Sequence, residues 1–163
     1  MGDQVTHSIP AKDAARPVGV GGWLAFLIVW MVVLRPLAGI ILLNQLKAAS
    51  LENPAILENS NWLVNTSSFW IIFLIVAALS VYAGLRLWHE RSPAAVKMAI
   101  ITLWIYSPVA AADLLIARAY LEGAVTWANV ATTAASNLAI ATVWTLYLLR
   151  SRRVRNTYYQ RSI

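Results

Sequence analysis

Residues 68–88 read SFWIIFLIVAALSVYAGLRLW, with no charge until Arg86 near the end. Coiled as a helix at about 1.5 Å per residue, this stretch is about 30 Å long, the thickness of a bilayer's hydrocarbon core. Ser80 and Gly84, four residues apart, present a small-residue face to which another helix backbone can come close. The segment therefore predicts a transmembrane helix, and three others repeat its pattern. One runs from about 20 to 46 and is broken only by Arg35 and Pro36; the next, 94–117, carries Pro108 and Asp113; the last is 127–149. Backbone polar groups in lipid must be satisfied within the segment, so these runs are helices rather than open strands. The expected fold is all-α: an integral membrane four-helix bundle of antiparallel up-down spans filling residues 19–149.

Composition agrees with a bilayer as the main solvent. Hydrophobic residues make up 60% of the 163-residue chain and charged ones 12%, against roughly 45–50% and 25% in an average soluble domain. Eight tryptophans are present, a residue that concentrates where lipid meets water. No cysteine occurs, which excludes disulfides, thiolate metal sites and thiol nucleophiles. A cleaved signal peptide ending near Ala48-Ala49-Ser50 is the rival reading of the first run. That run far exceeds the 7–15 apolar residues of such signals, so it is read as a retained span.

Between the spans lie polar segments. Residues 1–18, with Asp3, Lys12, Asp13, Arg16 and two prolines, read as a flexible tail; 47–67 is the longest loop; 86–93 and 118–126 are tight turns; 150–163 is a basic tail. Asn65-Thr66-Ser67 matches a glycosylation sequon, which carries no meaning in a bacterial protein. Lysine and arginine are unevenly shared between the two sides. Lys12, Arg16, Arg86, Arg91, Lys97, Arg150, Arg152, Arg153, Arg155 and Arg161 fall on one side, and Lys47 and Arg118 on the other. Positively charged loops stay in the cytoplasm, so both termini are expected there. Trp23 and Trp88 then mark the inner interface, and Trp62 and Trp127 the outer one.

Arg35 is the most informative single residue, because a charge deep in a span costs about 2.5–3.5 kcal/mol even on the mildest insertion scale. Counted from Gly22 it lies roughly 20 Å along its helix, and Asp113, counted from Lys97, roughly 24 Å along its own. An Arg35–Asp113 pair is the expectation. It could serve only to fix helix register; alternatively, Arg35 could extend outward while Asp113 bonds Arg118 or the loop. A functional reading makes it a proton- or ion-sensitive site beside Pro36 and Pro108.

In the fourth span, Ala128, Thr132 and Ser136 recur at four-residue spacing beside Ala131, Ala135 and Ala139, which predicts close packing within the bundle, any surplus serving a homodimer or a partner. Asn137, near mid-span, reads as interhelical glue before it reads as a substrate ligand. The basic, aromatic tail suits anionic lipid headgroups, a cheaper explanation than nucleic acid. His7 and His89 stand alone, so no metal is expected, and no cofactor motif, HExxH, G-x-S-x-G or phosphate loop occurs. An enzyme is not expected.

Two end segments carry a resemblance: Gly19-Val20-Gly21-Gly22-Trp23-Leu24 opening the first span, and Ser151-Arg152-Arg153-Val154-Arg155-Asn156-Thr157-Tyr158 after the last. With them the chain resembles the bacterial inner-membrane proteins catalogued as domain of unknown function 2569, four-helix proteins with a G-x-G-G-W-L start and an S-x-R-V-x-N-T-aromatic end. The resemblance implies a fold and a location but no reaction. Tyr158, where that pattern leads us to expect Phe, and Arg35 before Pro36 depart from it, so it lends nothing to the ion-site reading. It does suggest one interface surface made from Gly21, Gly22 and Trp23 with Arg152, Arg153 and Val154. The sequence-level expectation is a non-enzymatic accessory or scaffold component of a membrane complex, with a small transporter or channel using Arg35 and Asp113 as the alternative.

Overall fold

A computed structural model describes residues 19–120 and 125–159. The expected tail at 1–18, with Lys12, Arg16 and His7, lies outside them, as do Glu122, Gly123 and Arg161. The described residues are almost wholly helical. Helix α1 spans Trp23–Glu52, α2 Ser60–His89, α3 Pro93–Tyr120 and α4 Trp127–Arg150; a short α5, Arg152–Tyr158, follows. Each of the first four is long and apolar enough to cross a membrane.

Local chemistry sets the helix ends. Gly22 precedes α1 at φ 57°, a left-handed value that only glycine adopts without strain. The Asn59 side chain caps α2 by accepting from the Asn61 N–H at 2.9 Å, Pro93 opens α3 at a position where its missing N–H costs nothing, and Thr126 caps α4 through the Asn129 N–H at 3.2 Å. Ser151 ends α4 and starts α5, its hydroxyl accepting from the Val154 N–H.

The long loop expected at 47–67 is much shorter. α1 continues to Glu52, a 3-10 turn covers Pro54–Glu58, and α2 begins at Ser60. Hydropathy marks where lipid begins, whereas a helix begins where its first N–H groups find a cap, and for α2 that cap is Asn59. The basic tail, read as a tail only, contains α5.

Buried apolar side chains collect toward the end of the molecule where the two end motifs meet. Leu24, Leu27 and Met31 from α1 meet Ala83 and Leu87 from α2, Val96, Ala99 and Leu103 from α3, Ala141 and Leu148 from α4, and Val154 and Tyr158 from α5. α3 lies between α2 and α4 and packs on both; Trp144 of α4 reaches α1, with ring centroids 6.2 Å from Trp30 and 5.9 Å from Phe26. The other half is looser. Beyond Arg35, Leu43 is the only buried residue of α1.

The small-residue rows of α4 do not build the interior as expected: Ala128, Ala131, Thr132, Ala135, Ser136 and Ala139 are all exposed. α4 instead turns Ala141 and Leu148 into the core and sets Ala134 and Asn137 partly inward. These four positions recur at helical spacing on one face, and that face lies beside the small-residue rows.

Candidate functional site

The site begins with a fault in α1. Between Trp30 and Leu34 the helix widens into a π turn, and the Arg35 N–H reaches back to the Trp30 carbonyl. Hydrogen bonding at that spacing would assign the Met31 carbonyl to the N–H of residue 36, but residue 36 is proline and has none. Ser80 of α2 supplies the missing donor, its hydroxyl lying 2.8 Å from the Met31 carbonyl oxygen. One turn further along α2, Gly84 lets α1 come close: a methyl group there would lie 2.5 Å from Val32 Cγ2 and 3.2 Å from Met31 Cβ. The expected small-residue face of α2 thus seats the irregular turn of α1.

That turn presents Arg35 to the interior. Its guanidinium carbon lies 3.7 Å from the ring centroid of Tyr106 and 4.6 Å from that of Trp30. Cation–π contacts contribute from about 0.5–1 kcal/mol each when exposed to about 2 kcal/mol when desolvated, comparable together to the insertion cost of the charge. Rings stabilise the charge but do not replace in-plane acceptors. Nε and Nη1 are buried and find no hydrogen-bond acceptor among the described residues.

Arg35 and Asp113 do not form the expected ion pair. The one salt bridge among the described residues joins Arg86 to Glu90 at 2.8 Å. Nor does Arg35 extend outward, because its guanidinium is turned back over Trp30. Arg118 donates to the Val125 carbonyl at 2.8 Å and lies over Trp127, so it does not hold Asp113 either. The reason lies in the starting points of the depth count. α3 begins at Pro93, not Lys97, so Arg35 is twelve residues into its helix and Asp113 twenty into its own. Tyr106, thirteen residues into α3, is the one at Arg35's level, and Asp113 lies seven residues, about 10 Å, further on.

Arg35, Asp113 and Asn137 nevertheless border one cavity of about 360 Å³. All four long helices contribute to its wall, which is otherwise mainly apolar, with Leu42 from α1, Phe69, Phe73 and Val76 from α2 and Leu114 from α3. Tyr106 and Trp30 were missed in the sequence. Tyr106 stands seven residues before Asp113, on the same helical face, and that spacing was the available signal.

A second assembly joins the end motifs. The Gly19 N–H donates to Thr157 Oγ1 at 2.9 Å, and the Thr157 hydroxyl donates to the Arg153 carbonyl at 2.8 Å. Gly21 lies so close to Arg153 that a methyl group on it would be 2.5 Å from Nη1. Val154 is fully buried, and the Tyr158 hydroxyl donates to the Leu87 carbonyl. Gly21, Arg153 and Val154 therefore belong to one clasp, while Gly22, Trp23 and Arg152 are exposed around it. Trp23 packs edge-on against Phe26 and Trp144. The roles of Thr157 and Tyr158, quoted as motif letters only, come from this contact.

No curated protein and no solved structure matches the chain. The family described as protein of unknown function, DUF2569, matches residues 17–159, a stretch that starts just before one half of the clasp and ends just after the other, and the chain belongs to that family.

Proposed function

We propose that this multi-pass membrane protein is a non-enzymatic component of the bacterial inner membrane, an antiparallel up-down bundle with both termini cytoplasmic, that holds a polar-headed guest in the cavity at Arg35. One observation carries the reading: Arg35 borders a cavity while its guanidinium makes no salt bridge or hydrogen bond among the described residues. A guest with an oxygen acceptor would give this charge the charge-assisted hydrogen bond that the described residues do not supply. The transporter alternative draws on the same site. Native mass spectrometry of the full chain, released from gentle detergent, tests it. A small guest is expected on the parent and not on Arg35→Gln. No guest on the parent, or equal retention by both, overturns the reading.

The accessory reading is favoured by a separate observation. The small-residue rows on α4 are left exposed, and such rows let membrane helices approach closely. The chain has no cysteine of its own, so Ala135→Cys tests this face cleanly. Disulfide-linked dimers or a crosslinked second membrane protein are expected. A solitary monomer, with Val143→Cys on the same helix giving equal background, would sink it.

A further inference from the structure

The wall of the central cavity carries information about its guest. We propose that the guest is a single-chain amphiphile with an anionic oxygen head, a carboxylate or a phosphate monoester, seated with its head at Arg35 and its chain along the α1–α2 seam. This deepens the binding reading above and rests on it.

Polarity divides the cavity by level. Arg35 and Tyr106 lie at one depth, and Asn137 is placed near it by register: the Ser107 hydroxyl meets the Ala134 carbonyl at 3.4 Å, and Asn137 lies one turn beyond Ala134 in the same direction that leads from Ser107 back to Tyr106. A guanidinium lying over two rings contacts them through its face, so a guest would meet its planar edge, the geometry for which arginine suits an oxygen anion. Asn137 adds an amide donor at that level.

The opposite direction is mainly apolar, with Asp113 and Thr133 the polar side chains that border it. Leu42 lies seven residues, about 10 Å, past Arg35 along α1, and Phe69 and Phe73 of α2 face the same cavity. The two phenyl rings are parallel, to within 2°, at 6.4 Å. Phe73 lies against the α1 backbone at Gly39, where a methyl group would be 2.1 Å from its ring. Asp113, about 10 Å beyond Tyr106 on α3, is far enough from Arg35 not to compete for it. A volume of about 360 Å³ is near the lower end of the roughly 300–1,000 Å³ of ligand pockets. A seat of that size suits one alkyl chain, which a single-chain guest supplies.

The arrangement also explains why the guest would not be a bare ion. Six of the residues that line the cavity, Leu42, Phe69, Ile72, Phe73, Val76 and Leu114, offer an anion nothing but low dielectric. They match an alkyl chain.

The test uses the full chain in nanodiscs of zwitterionic lipid, titrated with a spin-labelled long-chain fatty acid, the corresponding alkyl phosphate, the alcohol of the same chain length, acetate and inorganic phosphate. One or both amphiphilic anions should bind and identify the head, and Arg35→Gln should weaken binding roughly tenfold or more, equivalent to about 1.4 kcal/mol. Ala110→Phe, which adds bulk to the cavity one turn, about 6 Å, past Tyr106 on the side of Leu42 and Phe73, should abolish binding too, and it keeps the test informative if Arg35→Gln fails to fold. Equal binding of the alcohol overturns the anionic head. Binding of acetate or inorganic phosphate as tight as the amphiphiles overturns the chain seat. If no probe binds while native mass spectrometry still finds an Arg35-dependent guest, this inference fails and the broader binding reading stands; if no guest is found at all, both fail.

Discussion

The hydroxyl of Ser80 and the carbonyl of Met31, on different helices, meet at 2.8 Å at the point where Pro36 and the π turn leave that carbonyl without a backbone donor. This hydrogen bond therefore replaces one the helix cannot make for itself. Replacing Ser80 with alanine leaves the Met31 oxygen buried and unsatisfied, and the expected loss is about 1–3 kcal/mol of unfolding stability in mixed micelles. Alanine at the exposed Ser67 on the same helix is expected to change stability by less than about 0.5 kcal/mol. Equal effects at the two sites would show that the π turn does not depend on Ser80.

Two glycines are expected to resist substitution for different reasons. Alanine at Gly84 drives a methyl group into Val32 and Met31, and overpacking of this kind costs typically about 1–3 kcal/mol. Alanine at Gly22 meets no neighbour but must hold φ 57°, a backbone cost of about 1–2 kcal/mol. A paired-label distance between Val33 and Tyr82 separates the mechanisms. It should lengthen in Gly84→Ala and stay constant in Gly22→Ala.

Arg35 and Asp113 share a cavity without sharing an ion pair, so their contributions to stability should be nearly independent. A double-mutant cycle with Arg35→Met and Asp113→Asn is expected to give a coupling below about 0.5 kcal/mol. Arg35→Met alone should stabilise the guest-free protein by about 1 kcal/mol or more, since it removes a charge from a span and the unsatisfied donors with it. A strong coupling between the two positions would restore the ion pair that the geometry denies.

Tyr158 provides a pH signature for the clasp, which lies outside the spans. Burial pushes its phenol up to about 12, from the usual value near 10, with Arg91 opposing the shift. The folded state thus holds the proton that the unfolded chain releases, and stability should fall as pH rises from about 10 to about 12. Below pH 10 the phenol is neutral in both states and contributes no slope. Tyr158→Phe should remove this alkaline loss, while costing about 0.5–1.5 kcal/mol at neutral pH through the lost bond to the Leu87 carbonyl. An unchanged alkaline slope in Tyr158→Phe would assign the loss to another group.

Which helices exist was legible in the chain because hydropathy is a local property: SFWIIFLIVAALSVYAGLRLW needs no neighbour to be unsuitable for water. The close-approach role of Ser80 and Gly84 was legible for a similar reason, since small size is visible in the letter. The end motifs suggested that Gly21 and Arg153 share a surface, but not which atoms meet there, because 132 residues separate them and the contact depends on how the helices pack. Asn53 to Asn59 shows the limit at boundaries, where the same polar letters serve a helix end, a 3-10 turn and a cap. The π turn was invisible because it depends on an N–H that Pro36 lacks and a hydroxyl that α2 supplies.

The sequence by itself determined that four helices lie in lipid and that Arg35 is out of place there. Only the tertiary structure decided what answers Arg35, because a depth count along single helices carries the error of each helix start, here four residues at Pro93. An error of about 6 Å is enough to exchange a carboxylate for an aromatic ring. It sets Arg35 beside Tyr106 rather than Asp113, at the border of a cavity.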